Sequence, residues 1–428
     1  MKKQIPIIRL FRDYVLSLIR SGGAAGVRLG GAGLQFVATI LIARALGVSE
    51  AGVFFFWSTI IRSFGKVAAF GFDQLSLQQV PRLGGKTSAL ADFLAPIRSI
   101  SVVIALVISL GLCAYAFLLQ GETARPLWWY SLPILGIGGM ALCLINGAAM
   151  IGLGRPVLGV FYRNTSASLI FVVALLLGQS ILDSDRTLLC FSAAFVIAGV
   201  GALFGQGLRE AKPFYKLPSG EDLRRDLGLG LPICLASIFG SVTYFVPLAI
   251  LEQLYPSQEV AFLTTAYRIY MLFEVLAMAA YSLTMPDLSR GGQNDDFGRM
   301  WKIYRGAITK VGTLMVLPLG VAYVGAEWVM GIFGEEFRGA ANVLRVLLIF
   351  RIVRLVLGPA SYLLLMIGKT QRIAVYSLSR LAVTVAMASF LVPSIGTVGM
   401  AITLGVGMLF ETTLCLGDFL RESKRARA

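Results

Sequence analysis

Arg62 and Lys66 stand one helical turn apart in the middle of an apolar run, FFFWSTIIRSFGKVAAFGF, residues 54–72. With Asp73 the spacing is i, i+4, i+11, which at about 100° per residue puts all three on one face of a helix. The preceding apolar run carries Arg28, Gln35 and Thr39 at i, i+7, i+11, again on one face. Cations in such a setting are suited to anions, and the planar fork of arginine takes two phosphate oxygens at once. Further on, Arg351 and Arg354 lie at i, i+3 inside another apolar run, and Arg268 and Glu274 share a third. The chain has no histidine, so imidazole ligands and bases are excluded. Its five cysteines (Cys113, Cys143, Cys190, Cys234, Cys415) show no paired spacing and read as small apolar filler. No metal, cofactor or catalytic group is expected, and the chain does not read as an enzyme.

The elements that position these side chains are set by composition. Of 428 residues, 57% are hydrophobic and 14% charged, with a mean hydropathy of +0.78. That is the balance of a polytopic membrane protein, whose spans each need about 20 apolar residues. The pattern predicts twelve transmembrane helices: 21–45, 51–72, 98–119, 127–150, 157–180, 187–208, 228–252, 259–284, 304–325, 340–366, 373–393 and 397–419. The apolar runs are continuous, not alternating, which excludes a β-barrel. The opening MKKQIPIIRLFRDYVLSLIR has no small-residue cleavage site and reads as a basic amphipathic helix on the cytoplasmic face. The seventh span holds Pro232, Gly240 and Pro247, a composition suited to a kink that bends.

Loop charge sets the orientation. With a cytoplasmic N-terminus, the cytoplasmic segments carry 23 Lys and Arg, against only Arg125, Arg186 and Arg338 outside. This positive-inside bias places both termini in the cytoplasm and accounts for most of the +15 net charge. The basic partner surface is therefore the membrane lipid of the cytoplasmic leaflet, not nucleic acid. Twelve further cations fall within the spans, each costing about 2.5–3.5 kcal/mol at mid-helix on the insertion scale. Arg44, Arg98 and Arg163 lie near span ends and read as structural, each in an ion pair or reaching the headgroups. The remaining excess over acids points to an anionic ligand.

The chain looks duplicated. LGVSEAGVF (46–54) lies over LYPSQEVAF (254–262) at an offset of 208, and GRPVLGVFY (154–162) over GKTQRIAVY (368–376) at 214. Six spans per half give both halves one orientation. The expected fold is thus all-α, two parallel six-helix lobes around a central cavity, with an N-lobe at 1–208, a cytoplasmic linker at 209–227 and a C-lobe at 228–428. Offsetting the Arg62 stripe by 208 gives Tyr270, Glu274 and Tyr281, so Lys66 corresponds to Glu274, and the pair is expected to act as a switch. Asp73 is the second candidate for a switch or coupling ion. Arg268 lies about 140° round an ideal helix from that stripe.

ARALGVSEAGVF (43–54), FGFDQLSLQQVPR (70–82) and IGLGRP (151–156) carry a family resemblance. They resemble segments of the polysaccharide flippases in the multidrug/oligosaccharidyl-lipid/polysaccharide export (MOP) superfamily, and span count and length agree along the whole chain. The resemblance implies a multi-pass protein of the bacterial inner membrane that moves undecaprenyl-pyrophosphate-linked oligosaccharide by alternating access, for surface polysaccharide such as O-antigen. It also implies polysaccharide assembly proteins as partners. The related lipid II flippases carry essential arginines in their first, second and eighth spans, which here hold Arg28, Arg62 and Arg268. The expected substrate-binding set is therefore Arg28, Arg62, Lys66, Arg268, Arg351 and Arg354. The rival readings are a multidrug cation antiporter of the same superfamily and a membrane-embedded glycan polymerase or ligase. The first calls for acidic groups at the substrate, and the second for a large external loop.

Overall fold

The computed structural model describes residues 23–83, 87–120, 129, 131–178, 183–205, 239, 242–282, 288 and 296–426. The expected amphipathic helix at 1–20, the linker at 209–227, and Pro232, Cys234 and Gly240 lie outside the described residues. Among the described residues every regular element is helical, and eight segments are long and apolar enough to cross a membrane. The chain forms two compact units: residues 22–46 and 53–245 belong to one, residues 47–52 and 246–428 to the other.

The N-terminal unit begins with α1 (Gly23–Ala68), whose helical geometry is interrupted at Gly47, φ 72°. Its apolar stretch of 43 residues would measure about 65 Å as one helix, twice the ~30 Å hydrocarbon core, so the break leaves room for two crossings. Then follow α2 (Phe72–Gln79), α3 (Thr87–Gln120), α4 (Ser131–Gly152), α5 (Pro156–Val160), a π-helical turn (Phe161–Thr165), α6 (Ser166–Leu177) and α7 (Ser184–Gly205). The centre of this unit is α4. Every residue from Gly139 to Met150 is buried, and α2, α3, α5 and α7 all pack on it. The close approach of α7 depends on Gly139, where a Cβ would fall 2.6 Å from the Val196 backbone nitrogen.

The C-terminal unit contains α8 (Val242–Leu254), α9 (Ser257–Ser282), α10 (Phe297–Val324), α11 (Ala326–Gly331), a 3-10 turn (Glu335–Ala340), α12 (Ala341–Leu357), α13 (Ala360–Met366) and α14 (Thr370–Arg425). The sequence reading treats 340–366 as one span; the structure divides it at Gly358–Pro359, where Gly358 has φ 66° and a residue before proline avoids the helical region. The 55-residue apolar stretch of α14 is broken at Ile395 and Gly396, inside the gap expected between the last two spans. Tyr304, Leu363, Leu364, Cys415 and Phe419 form a buried cluster that ties α10, α13 and α14 together.

Two turns 214 residues apart close with the same backbone hydrogen bonds. Arg155 N donates to Met150 O and Gly154 N to Ile151 O, both at 3.0 Å. At an offset of 214, Lys369 N donates to Leu364 O at 2.9 Å and Gly368 N to Leu365 O at 3.1 Å. Both turns are Schellman motifs with the left-handed position filled by glycine, φ 78° at Gly154 and 74° at Gly368. At the other offset, the Gly47 break corresponds to Tyr255, which stands at the break between α8 and α9.

Candidate functional site

In the N-terminal unit the two polar stripes of the opening spans meet. A guanidinium nitrogen of Arg62 donates to Gln35 Oε1 at 2.9 Å, and the same guanidinium lies 5.3 Å from the centre of the Phe191 ring. Phe191 is fixed by edge contacts with Phe54 and Phe171, at 5.6 and 5.2 Å between ring centres. Gln35 and Phe191 hold the guanidinium without cancelling its charge, and Arg62 Nε is buried with no hydrogen-bond partner. Lys66, one turn further, is exposed and makes no ion pair or hydrogen bond among the described residues. Arg28 is likewise exposed, while the Thr39 hydroxyl turns back to donate to the Gln35 carbonyl at 2.7 Å.

Asp73 departs from the expected stripe. The helix ends at Phe70–Gly71, both with positive φ (50° and 74°), and the 100° count does not carry through that turn. Asp73 sits in the first turn of α2 instead, and accepts from Arg163 of the π-helical turn at 2.5 Å. Arg163 was read as an ion-pair or headgroup cation; the structure gives it the ion pair, and the identity of its partner, Asp73, needed the fold. Arg98 was read the same way, yet it is 1% exposed and its Nε donates to Asn146 Oδ1 at 2.8 Å. Asn146 in turn donates to the Gly199 carbonyl at 3.4 Å, so this polar chain joins α3, α4 and α7. Opposite charges near the same ends of the second and fifth spans are the only sequence hint of the Asp73–Arg163 pair.

The C-terminal unit gathers a second set. Glu274 accepts from Arg351, and from Arg354 at 2.9 Å. Arg351 also donates to the Phe273 carbonyl at 3.2 Å, and Arg354 to the Tyr270 hydroxyl at 3.3 Å. The Tyr270 hydroxyl reaches Met408 Sδ at 3.0 Å. Glu411 accepts from Arg380 at 2.9 Å and from Ser377 at 2.6 Å. Glu274, expected to serve Lys66, therefore has two guanidinium partners of its own unit. Arg268 is half-buried on a different flank of α9 from Glu274.

The two sets differ in balance. Around Glu274 and Glu411, three guanidinium groups meet two carboxylates, a dense and largely neutralised network. Around Arg62 and Lys66, the nearest described acid, Asp73, is already engaged by Arg163. Uncompensated positive charge is concentrated on the second half of α1, which suits capture of an anion by groups placed in advance.

Comparison with known proteins places this arrangement. A probable low-salt glycan biosynthesis flippase, Agl15 of Haloferax volcanii, is 23% identical over 397 residues, covering 90% of this chain and 79% of that protein. Among solved structures, the lipid II flippase MurJ in an inward closed conformation superposes with a TM-score of 0.74 at 13% identity, covering 94% of this chain and 89% of MurJ. An inward-facing multidrug resistance MATE family transporter gives 0.69 at 17% identity, covering 94% and 99%. At these identities the likeness speaks for the fold: this is a multi-pass, all-helical membrane protein with the fold of the MOP-superfamily transporters. The family described as polysaccharide biosynthesis protein matches residues 24–291, well over half of the sequence, and the chain belongs to that family.

Proposed function

We propose that the protein is a flippase for a lipid-linked oligosaccharide, and that Arg62 and Lys66 hold the anionic phosphate linkage between lipid and sugar. The reading rests on one observation: a half-buried arginine fixed by an amide and an aromatic ring, followed one turn later by a lysine, with no carboxylate paired to either among the described residues. The names carried by the Agl15 and MurJ relatives support the same class of cargo. Arg28 adds charge from the first half of α1. Arg351 and Arg354 take part once cargo displaces Glu274 from them, which makes Glu274 a switch between two arginines rather than a partner of Lys66. Arg268 is kept as a secondary contact carried over from the family resemblance.

In its finer form, the cargo is undecaprenyl-pyrophosphate-linked oligosaccharide in a bacterial inner membrane. Both termini are cytoplasmic, the chain makes twelve crossings as two six-span halves, and transport runs by alternating access. A cation antiporter is the weaker reading because three acids that could serve it are engaged: Asp73 by Arg163, Glu274 by Arg351 and Arg354, Glu411 by Arg380.

The test is transport in proteoliposomes loaded with a fluorescent lipid-linked oligosaccharide on one leaflet. Arg62→Lys is expected to keep partial activity, and Arg62→Ala and Lys66→Ala to lose it while still inserting and eluting as the native protein. Wild-type rates in both alanine variants would reduce the two cations to a structural role and end this reading.

A further inference from the structure

The C-terminal unit carries a cleft of about 210 Å³ between α10, the end of α12 and α14, remote in sequence from the cations on α1. Its walls are Trp301, Tyr304 and Ile308 of α10, Val356 and Leu357 of α12, and Leu416 of α14. The floor is rigid. Trp301 stacks on Tyr304 at 5.7 Å between ring centres, and the Tyr304 hydroxyl donates to the Leu357 carbonyl at 2.5 Å, where α12 stops. The helix break at Gly358 turns the chain aside and leaves Val356 standing at the edge, 70% exposed. Exposed apolar side chains continue from it along one face of α12, through Val353 to Ile349.

One end of this apolar cleft is basic. Arg305 lines it, is exposed, and has no ion pair among the described residues; Lys302, also exposed, lies one turn nearer the start of α10. Arg305 is eight residues into α10, on the order of 12 Å along its axis. By the charge distribution of the loops, that helix end is the cytoplasmic one. An indole, an unpaired guanidinium and an apolar trough, in that order from the membrane surface, match the parts of one molecule type: an acyl chain with an anionic head.

We propose that this cleft is a binding site for an anionic phospholipid of the surrounding bilayer. Its headgroup phosphate sits on Arg305, and one acyl chain lies along Ile308, Val356 and Val353. Charge complementarity selects the headgroup, and the exposed apolar stripe on α12 continues the path of the chain into the hydrocarbon. The occupant braces the point where α12 breaks, since it lies against Leu357 and Tyr304.

The experiment is native mass spectrometry of the full-length protein titrated with phosphatidylglycerol or phosphatidylcholine. The wild type is expected to take up its tightest phosphatidylglycerol at a concentration about fivefold below that for phosphatidylcholine. Arg305→Gln should remove that preference. Val356→Trp, which fills the cleft, should remove the tight-binding event for either lipid. Lys310→Ala, exposed on another flank of α10, should behave as wild type. The proposal is overturned if Arg305→Gln and Lys310→Ala bind alike, or if Val356→Trp retains the tight lipid. It is equally overturned if undecaprenyl phosphate, and not phosphatidylglycerol, shows the dependence on Arg305. None of these readings involves transport, so the result stands apart from the fate of the flippase proposal.

Discussion

Arg62 is immobilised but not neutralised, and that distinction is testable at a single atom. Replacing Gln35 with glutamate keeps the shape of the contact while converting an amide oxygen into a carboxylate, so Gln35→Glu pairs Arg62 internally. Transport of lipid-linked oligosaccharide is expected to fall about tenfold, the equivalent of roughly 1.4 kcal/mol, with thermal stability unchanged or raised. A second residue-scale expectation concerns Asp73 and Arg163, whose side chains are 13% and 19% exposed. Asp73→Ala should lower stability in detergent by about 1–3 kcal/mol by stranding Arg163, and the double variant with Arg163→Ala should cost less than the sum of the two. Thermal unfolding of the three variants measures the coupling. The cations on α1 were legible in the sequence because charge in an apolar run is conspicuous and helical spacing is fixed. Asp73 was misread because a left-handed turn at Phe70–Gly71 lies between it and Lys66. The partner of Arg98 was out of reach because nothing in the order of residues brings position 146 to position 98.

At the scale of elements, the turns at Gly154 and Gly368 are built alike, 214 residues apart. Each closes a helix through the same two backbone bonds, and each needs a conformation that costs an L-residue about 1–2 kcal/mol. Gly154→Ala and Gly368→Ala are therefore each expected to reduce stability by about that amount, read as a lower unfolding temperature in detergent. If the turns are equivalent, the two losses will be alike. Most element boundaries were readable from hydropathy, since lipid demands long apolar runs. The breaks within runs were harder. Gly358–Pro359 had a signal, a helix-breaking dipeptide, but the apolar residues on both sides masked it. The π-helical turn at 161–165 had none, because it arises where Gly147 and Gly159 let two backbones close in beside Arg163.

For the whole molecule, the loop charges make a prediction about sidedness. In a cysteine-free background, Glu335→Cys should react with a membrane-impermeant maleimide from outside the cell, and a cysteine placed at Lys369 should react only after the membrane is opened. Labelling of both from the same side would invert or break the proposed topology. The class of the protein was legible from composition alone; the grouping of residues 47–52 with residues 246–428 was not, because it depends on contacts far apart in the sequence. The burial of α4 has a different kind of consequence. With Gly139 pressed against the Val196 backbone and every residue to Met150 enclosed, almost any exchange there disturbs several neighbours at once. On α10, by contrast, Val316, Leu317 and Val324 are 62–80% exposed and ask only for greasiness. Over many generations α4 should drift slowest and the outer face of α10 fastest. A saturation library scored for growth would then map the depth of the molecule, with tolerance rising from its centre outward.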